Sequence, residues 1–408
     1  MNRTILDISS EIGSGITPLR SKAEYWNSND IPWVKTEQLG EYQIFDANEY
    51  ISKTALKETT IKLWPPKTVS VAMYGEGKTR GNASILMMQS TTNQACCNIV
   101  ADPQKADYRF LYYWLKNNYE QLRTLAAGVR KNLNSDDIKG FPFPGFKVAD
   151  QAKIADVLSA IDDLIQNNTH ICTILEKMAK TLYDYWFTQF DFPNTDDKPY
   201  RFSGGEMVWN DQLKRDIPKG WEVGNLYSIA DPINGLACQK HRPRDGEVSL
   251  PVVKIKEMHE GITADTELVS ANIPDKNKIF DGDILFSWSA TLEVMYWFGG
   301  YAGLNQHIFK VIPINGYSKE YVYHQFSSYV INFVKMAEAR KTTMGHITSD
   351  HLEQSFIALP PKGVVDQFTE IVAPIHEKIG QCLKENRELA KFRDWLLPML
   401  MNGQVTVE

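Results

Sequence analysis

From Val148 onward, apolar residues return at alternating steps of three and four: Ile161, Leu164, Asn168, Ile171, Leu175, Met178, Leu182 and Tyr185. That alternation is a heptad seam, and it predicts one long helix within 148–192. Asn168 is its polar inner member, a residue that fixes register at some cost in stability. A second stretch, from about Val365 to Met401, repeats the seam through Phe368, Ile371, Ile375, Ile379, Cys382, Asn386, Leu389, Phe392 and Leu396. Pro374 is expected to kink this helix or delay its start. Ahead of each helix the pattern changes to shorter, strand-like runs, of which "TVSVAMY" (68–74) is the clearest.

These two stretches belong to a longer internal repeat. "IPWVKTEQL" (31–39) returns as "LPVVKIKEM" (250–258), and "STTNQACCNIV" (90–100) as "AGLNQHIFKVI" (302–312). "GVRKNLNSDDIKGFPFP" (128–144) corresponds to "EARKTTMGHITSDHLEQSFIALP" (338–360), after which Ile161, Leu175 and Leu182 fall on Ile375, Leu389 and Leu396. Each copy is thus a mixed, strand-rich part of domain size followed by one long helix. The expected class is α+β: two mixed α/β domains in pseudo-twofold repeat, joined by two long helices that form an antiparallel coiled coil. The boundaries are 1–147 for the first head, 148–192 for the first helix, 193–362 for the second head and 363–403 for the second helix. A helix of about 35 residues extends some 50 Å, too far to bury its stripe on its own head, so the stripes are expected to pair.

Composition narrows the class. The 408 residues are 43% hydrophobic and 23% charged, as in a globular protein of two or three domains. The N-terminus has no signal-like apolar core and no stretch reaches a membrane span, so a cytoplasmic location is expected. Five cysteines, Cys96, Cys97, Cys172, Cys238 and Cys382, lack zinc or redox spacing and read as buried reduced thiols. His241, His259, His307 and His346 are scattered and read as surface or core residues rather than metal ligands. The net charge of −6 conceals a division, because Lys and Arg exceed Asp and Glu by three in residues 1–147 while the rest of the chain is acidic. A local basic patch is therefore compatible with an acidic whole.

One short motif suggests an enzyme. Ala72-x-x-x-x-Gly77-Lys78-Thr79 comes after a strand-like run and fits a relaxed phosphate-loop pattern. The next residues, Arg80-Gly81-Asn82, are poor in helix formers, so the helix N-terminus such a loop needs is not expected. The second copy has "ILFSWSATLEV" at the same place, without Gly-Lys-Thr. A nucleotide-hydrolysing enzyme and a scaffold whose heads bind proteins are the competing readings.

The order of the motifs carries a family resemblance. "GITPLRSKAEYWNSNDIPWVKTEQL", "SVAMYGEGKTRG", "TTNQA", "NSDDIKGFPFP" and a helix ending "AKTLYDYWF" resemble the first half of a type I restriction-modification specificity subunit. "IPKGWEVGNL", "DGDILFSWSAT", "LNQHIFKVI", "IALP" and a helix ending "KFRDWLLPMLMNGQ" are similar to its second half. The resemblance implies a non-catalytic subunit with two target recognition domains, each reading one half of a bipartite double-stranded DNA sequence. It implies two methyltransferase subunits as partners, with S-adenosylmethionine as their cofactor, and restriction subunits that use ATP and Mg. DNA-mimic anti-restriction proteins would be further partners. No cofactor or metal is expected in this chain, and no methylase or nuclease motif is found in it.

Candidate DNA-binding residues are basic or hydroxyl-bearing and sit at matching places in the two copies. Lys78, Thr79 and Arg80 occupy the glycine-rich loop of the first head, and Ser287, Ser289 and Thr291 its counterpart. Arg or Lys reads guanine, while Ser or Thr contacts several bases or phosphates. Arg130-Lys131 and Arg340-Lys341 precede the last element of each head, and Lys35 and Lys254 end matching runs. Asn93-Gln94 and Asn305-Gln306 recur identically, which points to scaffold rather than to differing specificities. Asp156, Asp162, Asp163, Glu370 and Glu377 are expected on outer helix faces, where the resemblance implies docking of methyltransferase subunits.

Overall fold

The structure is a computed structural model that describes residues 3–75, 77, 79–126, 132–289, 291–339 and 349–407. It divides into two compact units, the first formed by Met1–Ile165 with Leu389–Glu408 and the second by Gln166–Glu388. The division cuts through both long helices, so each unit holds one head and a part of each helix.

Besides the short pair Arg3–Thr4 with Pro142–Phe143, the first unit has the strands β1 (Ser9–Ser14), β2 (Ile31–Val34), β3 (Gln43–Ile44), β4 (Glu49–Ile51), β5 (Thr68–Ala72), β6 (Ala83–Leu86), β7 (Thr91–Thr92) and β8 (Cys96–Ala101). Strands β1 to β8 make a five-stranded sheet ordered β1-β8-β5-β6-β3 and a three-stranded sheet ordered β4-β2-β7. All five residues of β5 are buried, including the polar Thr68 and Ser70, whose hydroxyls donate to Pro65 O and Asn98 Oδ1. Helices α1 (Tyr108–Asn117) and α2 (Tyr119–Thr124) come next in the chain. The Asp107 side chain caps α1 by accepting from the backbone N–H of Arg109 and Phe110. One core joins Val69, Val71 and Ile99 of the sheet, Phe110 and Tyr113 of α1, and Leu158, Leu396, Leu397 and Leu400 of the long helices.

The second unit repeats this plan. Its strands β9 (Ala230–Asn234), β10 (Ser249–Val253), β11 (Leu268–Ser270), β12 (Lys278–Ile279), β13 (Asp283–Ser287), β14 (Glu293–Trp297), β15 (Ala302–Leu304) and β16 (Ile308–Pro313) form sheets ordered β9-β16-β13-β14 and β11-β10-β15-β12. The register is the same in both heads: Trp33 and Val34 pair in parallel with Thr91 and Thr92, as Val252 and Val253 do with Gly303 and Leu304. One helix, Lys319–Ala339, stands where the first head has α1 and α2. The first head adds β3 at a sheet edge, whereas the second adds β12 and an antiparallel hairpin of Met207–Asn210 with Arg215–Pro218.

The long helices are α3 (Val148–Tyr183) and α4 (Lys362–Met401), the latter running on through Pro374. They run antiparallel in each unit. In the first, Asp162 meets Arg393; in the second, Asn168 donates to Glu385 and Asn386, and the Cys172 thiol to the carbonyl of Ile379. Asn168 is therefore an inner residue, as its place in the seam predicts. The seam itself is corrected in part: Leu164 (49% exposed), Met178 (54%), Tyr185, Ile371 and Phe392 face outward. Inside lie Ile161, Cys172, Ala179, Tyr183 and Trp186 of the first long segment, with Phe368, Val372, Ile379, Cys382 and Leu396 of the second. All five cysteines are free and buried, and burial pushes the Cys97 thiol up to about 11 and the Cys96 thiol to about 12. Among the described residues no helix is long and apolar enough to cross a membrane.

Candidate nucleic-acid interface

Residues 73–82 connect β5 to β6 as a hairpin loop. Its base is closed by Ala72 N–H to Asn82 O and Gly81 N–H to Ala72 O, each 2.8 Å, and by Asn82 N–H to Thr79 O at 3.1 Å. Gly75, Gly77 and Gly81 have φ of +142°, +58° and +89°, values that other residues adopt at a cost. At Gly75 there is no room either, because a Cβ would lie 2.6 Å from the Thr79 side chain. Thr79 and Arg80 are half-buried, while Lys78 lies outside the described residues. A strand comes after this loop, not a helix, so no helix N-terminus stands at Gly-Lys-Thr and the phosphate-loop geometry is not formed.

Two bonds tie this loop to its own head. The Arg123 guanidinium of α2 donates to Gly77 O at 2.9 Å, and Leu133 N–H donates to Met73 O at 3.0 Å. Arg123 and Leu133 flank residues 127–131 in the chain, so the sequence-predicted pair Arg130-Lys131, itself outside the described residues, is carried by a segment with both flanks bonded to the glycine-rich loop. Arg340 and Lys341 also lie outside the described residues. Arg123 was not found from the sequence, where nothing links it to a loop some forty residues earlier.

The matching connection in the second head, residues 288–292, is shorter. Ser287 is 1% exposed and its hydroxyl donates to Ser289 O at 3.3 Å; Ser289 is buried too. This corrects the expectation for both serines, which fill the strand end rather than present hydroxyls to solvent. Thr291 is exposed. Trp288 N–H donates to His307 O as Met73 N–H does to Ala95 O, so the two loops leave their sheets alike and then diverge.

Lys35 and Lys254 occupy the same place, the residue after the inner strand, β2 or β10, that pairs in parallel with β7 or β15. Each is ion-paired within its head, Lys35 with Glu37 (2.6 Å) and Glu49 (2.7 Å), Lys254 with Glu267 (2.6 Å). Bonds to Glu37 and Glu49 hold the Lys35 ammonium above its ordinary value, and the bond from Lys254 holds the Glu267 carboxyl low. Pairs this exposed are worth about 0–1 kcal/mol and could yield to a phosphate. The repeated asparagines are scaffold: Asn93 N–H donates to Val34 O and Asn305 N–H to Val253 O, and their side chains accept from the backbone N–H of Ala95 and His307. Beside them Gly15 and Gly235 pass so close that a Cβ would meet Thr92 O at 2.2 Å and Asn305 O at 2.1 Å.

The helix carboxylates separate into two kinds. Asp162 is 3% exposed, bound by Arg393 at 2.5 Å and by the Tyr113 hydroxyl at 2.8 Å, so it belongs to the core and not to an outer docking face. Asp156 accepts from Arg109 at 2.7 Å, while Asp163, Glu370 and Glu377 are exposed. What sequence reasoning missed is apolar surface on the same helices. In the first unit Leu164, Phe392 and Trp395 are exposed, the last two rings stacked at 5.9 Å. In the second, Ile174, Met178, Tyr185 and Ile371 line a groove of about 570 Å³.

Comparison with known proteins gives this architecture a family. The model of the type I restriction modification DNA specificity domain matches residues 2–177 and 218–381, one match for each copy of the repeat. The type I restriction enzyme MjaIX specificity subunit of Methanocaldococcus jannaschii is 28% identical over 425 residues, covering 100% of this chain and 93% of that protein. The HindI specificity subunit of Haemophilus influenzae is 25% identical over 62% of this chain and 67% of its own length. In fold, the crystal structure of the type I S subunit from M. genitalium aligns with a TM-score of 0.57 at 17% identity over 98% of this chain and 95% of that one. Two like-registered heads, two long helices and a family match on each copy lead to one assignment: the chain belongs to the type I restriction-modification specificity subunits.

Proposed function

We propose that the chain recognises a bipartite, asymmetric DNA sequence, each head reading one half, and that it does so without catalysing a reaction itself. The observation that carries this reading is the pairing of a common frame with unlike loops. The register, the Asn-Gln turn and the close-packed glycine are the same in both heads, whereas 73–82 and 288–292 differ in length, charge and anchoring. Differing loops on a common frame are what two different half-sites require. In this reading Thr79, Arg80 and Thr291 would make base or phosphate contacts, together with Lys78, Arg130, Lys131, Arg340 and Lys341.

The exposed apolar residues of α3 and α4 support docking of two methyltransferase subunits, since patches of this kind mark protein interfaces. Those subunits would supply S-adenosylmethionine chemistry on adenine, and restriction subunits would supply ATP- and Mg-dependent cleavage. Methylome sequencing of a host expressing this chain with its cognate methyltransferase tests the proposal. A methylated motif of two half-sites separated by a fixed spacer is expected, and its absence with both proteins expressed and soluble overturns the reading.

A further inference from the structure

Arg123 occupies an unusual position for a surface arginine. Its side chain is 23% exposed, and the carboxylate it approaches, Glu120, is 4.0 Å away and itself open to solvent. The guanidinium is instead directed at neutral oxygens. Nη2 donates to the Gly77 carbonyl at 2.9 Å and Nη1 to the Tyr119 hydroxyl at 2.9 Å, with the Tyr119 ring centred 5.1 Å away. The aliphatic stem packs on Gly81, where a Cβ would come within 3.0 Å of Arg123 Cγ. One side chain thus touches the tip and the return of the 73–82 loop at once.

The physical need for such a contact lies in the loop's composition. Three glycines at positive φ let the chain turn tightly, but they also give it the largest conformational freedom to lose. Strand pairing fixes only its base. A charge-assisted bond to the tip carbonyl restricts the rest, and the rigid fork of the guanidinium holds Gly77 and Tyr119 in fixed relative positions through two separate nitrogens, where an ammonium offers a single freely rotating point charge. The 288–292 connection of the second head has no glycine and is held by Ser287 on Ser289 and Trp288 on His307.

We infer that Arg123 is a positioning residue for DNA reading: it holds the glycine-rich loop in its reading conformation and sets how strictly the N-terminal head discriminates its half-site, without contacting a base. This rests on the proposed function. The test uses the full chain in complex with its methyltransferase subunits, methylating duplex libraries randomised in one half-site or the other. Arg123→Ala should lower discrimination in one half by about tenfold, equivalent to some 1.4 kcal/mol, with the other half and the spacer unchanged. Arg123→Lys, which keeps one donor, should restore part of it, and Tyr119→Phe should give a smaller loss in the same half.

Several results would overturn the inference. Unchanged discrimination in Arg123→Ala would do so, as would uniform weakening on all sequences with a salt slope reduced by about one, the signature of a direct phosphate contact. Equal loss in both halves together with a lowered melting temperature in Arg123→Lys and Tyr119→Phe would mark a structural residue only. A wild-type complex that methylates no bipartite motif would instead overturn the parent reading, an outcome visible before any variant is made.

Discussion

The two heads share a frame and differ at its rim. Residues 73–82 form a loop of ten with three glycines at positive φ and an arginine bonded to its tip, whereas 288–292 is half as long and leaves its strand between the buried Ser287 and Ser289. The frame beneath keeps the same strand register and the same asparagine bonds in both. In the two heads the identical residues fall on turns and close contacts, and the differences on connections.

The sharpest break of this comparison is at a place with no counterpart in the second unit's described ion pairs. Replacing Asp162 by Ala removes the buried carboxylate that Arg393 and the Tyr113 hydroxyl share and leaves Arg393 only the exposed Asp394 at 2.8 Å; loss of one partner of a buried pair costs up to about 3–5 kcal/mol. Denaturant unfolding should show the first unit destabilised; a loss below about 1 kcal/mol, the range for an exposed pair, would show that Asp162 is not held in the core. A charge reversal there should therefore impair folding before it impairs docking, in contrast to Asp163→Lys.

Next come the shared glycines. Gly15→Ala and Gly235→Ala each drive a Cβ into a backbone carbonyl, and both should cost about 3 kcal/mol. Unequal effects would show that the frames are less alike than their registers.

The third expectation belongs to the second unit alone. There His324 and His376 are buried with their Nε2 atoms 3.1 Å apart, and His376 Nδ1 lies 3.1 Å from the Tyr296 hydroxyl. The groups facing them are Tyr183, Glu176 and Lys180 of α3, Tyr296 of β14 and Tyr323 of the helix Lys319–Ala339. Burial holds both rings neutral, His324 down to about 3 and His376 to about 4 from 6.5. The unfolded chain therefore takes up protons first. Stability from these rings is complete above pH 6.5 and is lost as pH falls toward 4, by about 1.4 kcal/mol per pH unit for each ring. His376→Gln should flatten that acid limb for the second unit and leave the first unchanged.

The smallest effects are expected at the paired lysines. Lys35→Ala and Lys254→Ala should each change stability by less than about 1 kcal/mol. If either weakens DNA binding uniformly and lowers the salt slope by about one, that lysine exchanges its carboxylate for a phosphate.

Much of this was legible in the sequence, for identifiable reasons. The repeat was readable because equivalent strands must keep equivalent registers, so "IPWV" and "LPVV" stay recognisable while their loops do not. Asn168 was readable as an inner residue because a polar group amid heptad positions has few other places to go. The inward face of the helices was misjudged by about one position. Cys172 and Ala179 are small and carry little apolar signal, yet they lie inside, while Leu164 and Met178 carry a strong signal and lie outside. Tyr183 turns inward because its hydroxyl donates to Gln325 of the head, a contact no helical period encodes. Asp162 looked like solvated charge because its partners, Tyr113 and Arg393, lie 49 and 231 residues away.

The division of the chain into units also fixes an order of events during synthesis. The second unit, Gln166–Glu388, is one unbroken segment, while the first is completed by Leu389–Glu408. Leu396, Leu397, Leu400 and Met401 are buried in the core of the first head. The head that leaves the ribosome first must therefore wait, with its apolar face uncovered, until the head translated after it is already whole. A nascent chain halted before residue 389 would carry every residue of the second unit but lack Leu396, Leu397, Leu400 and Met401 of the first unit's core.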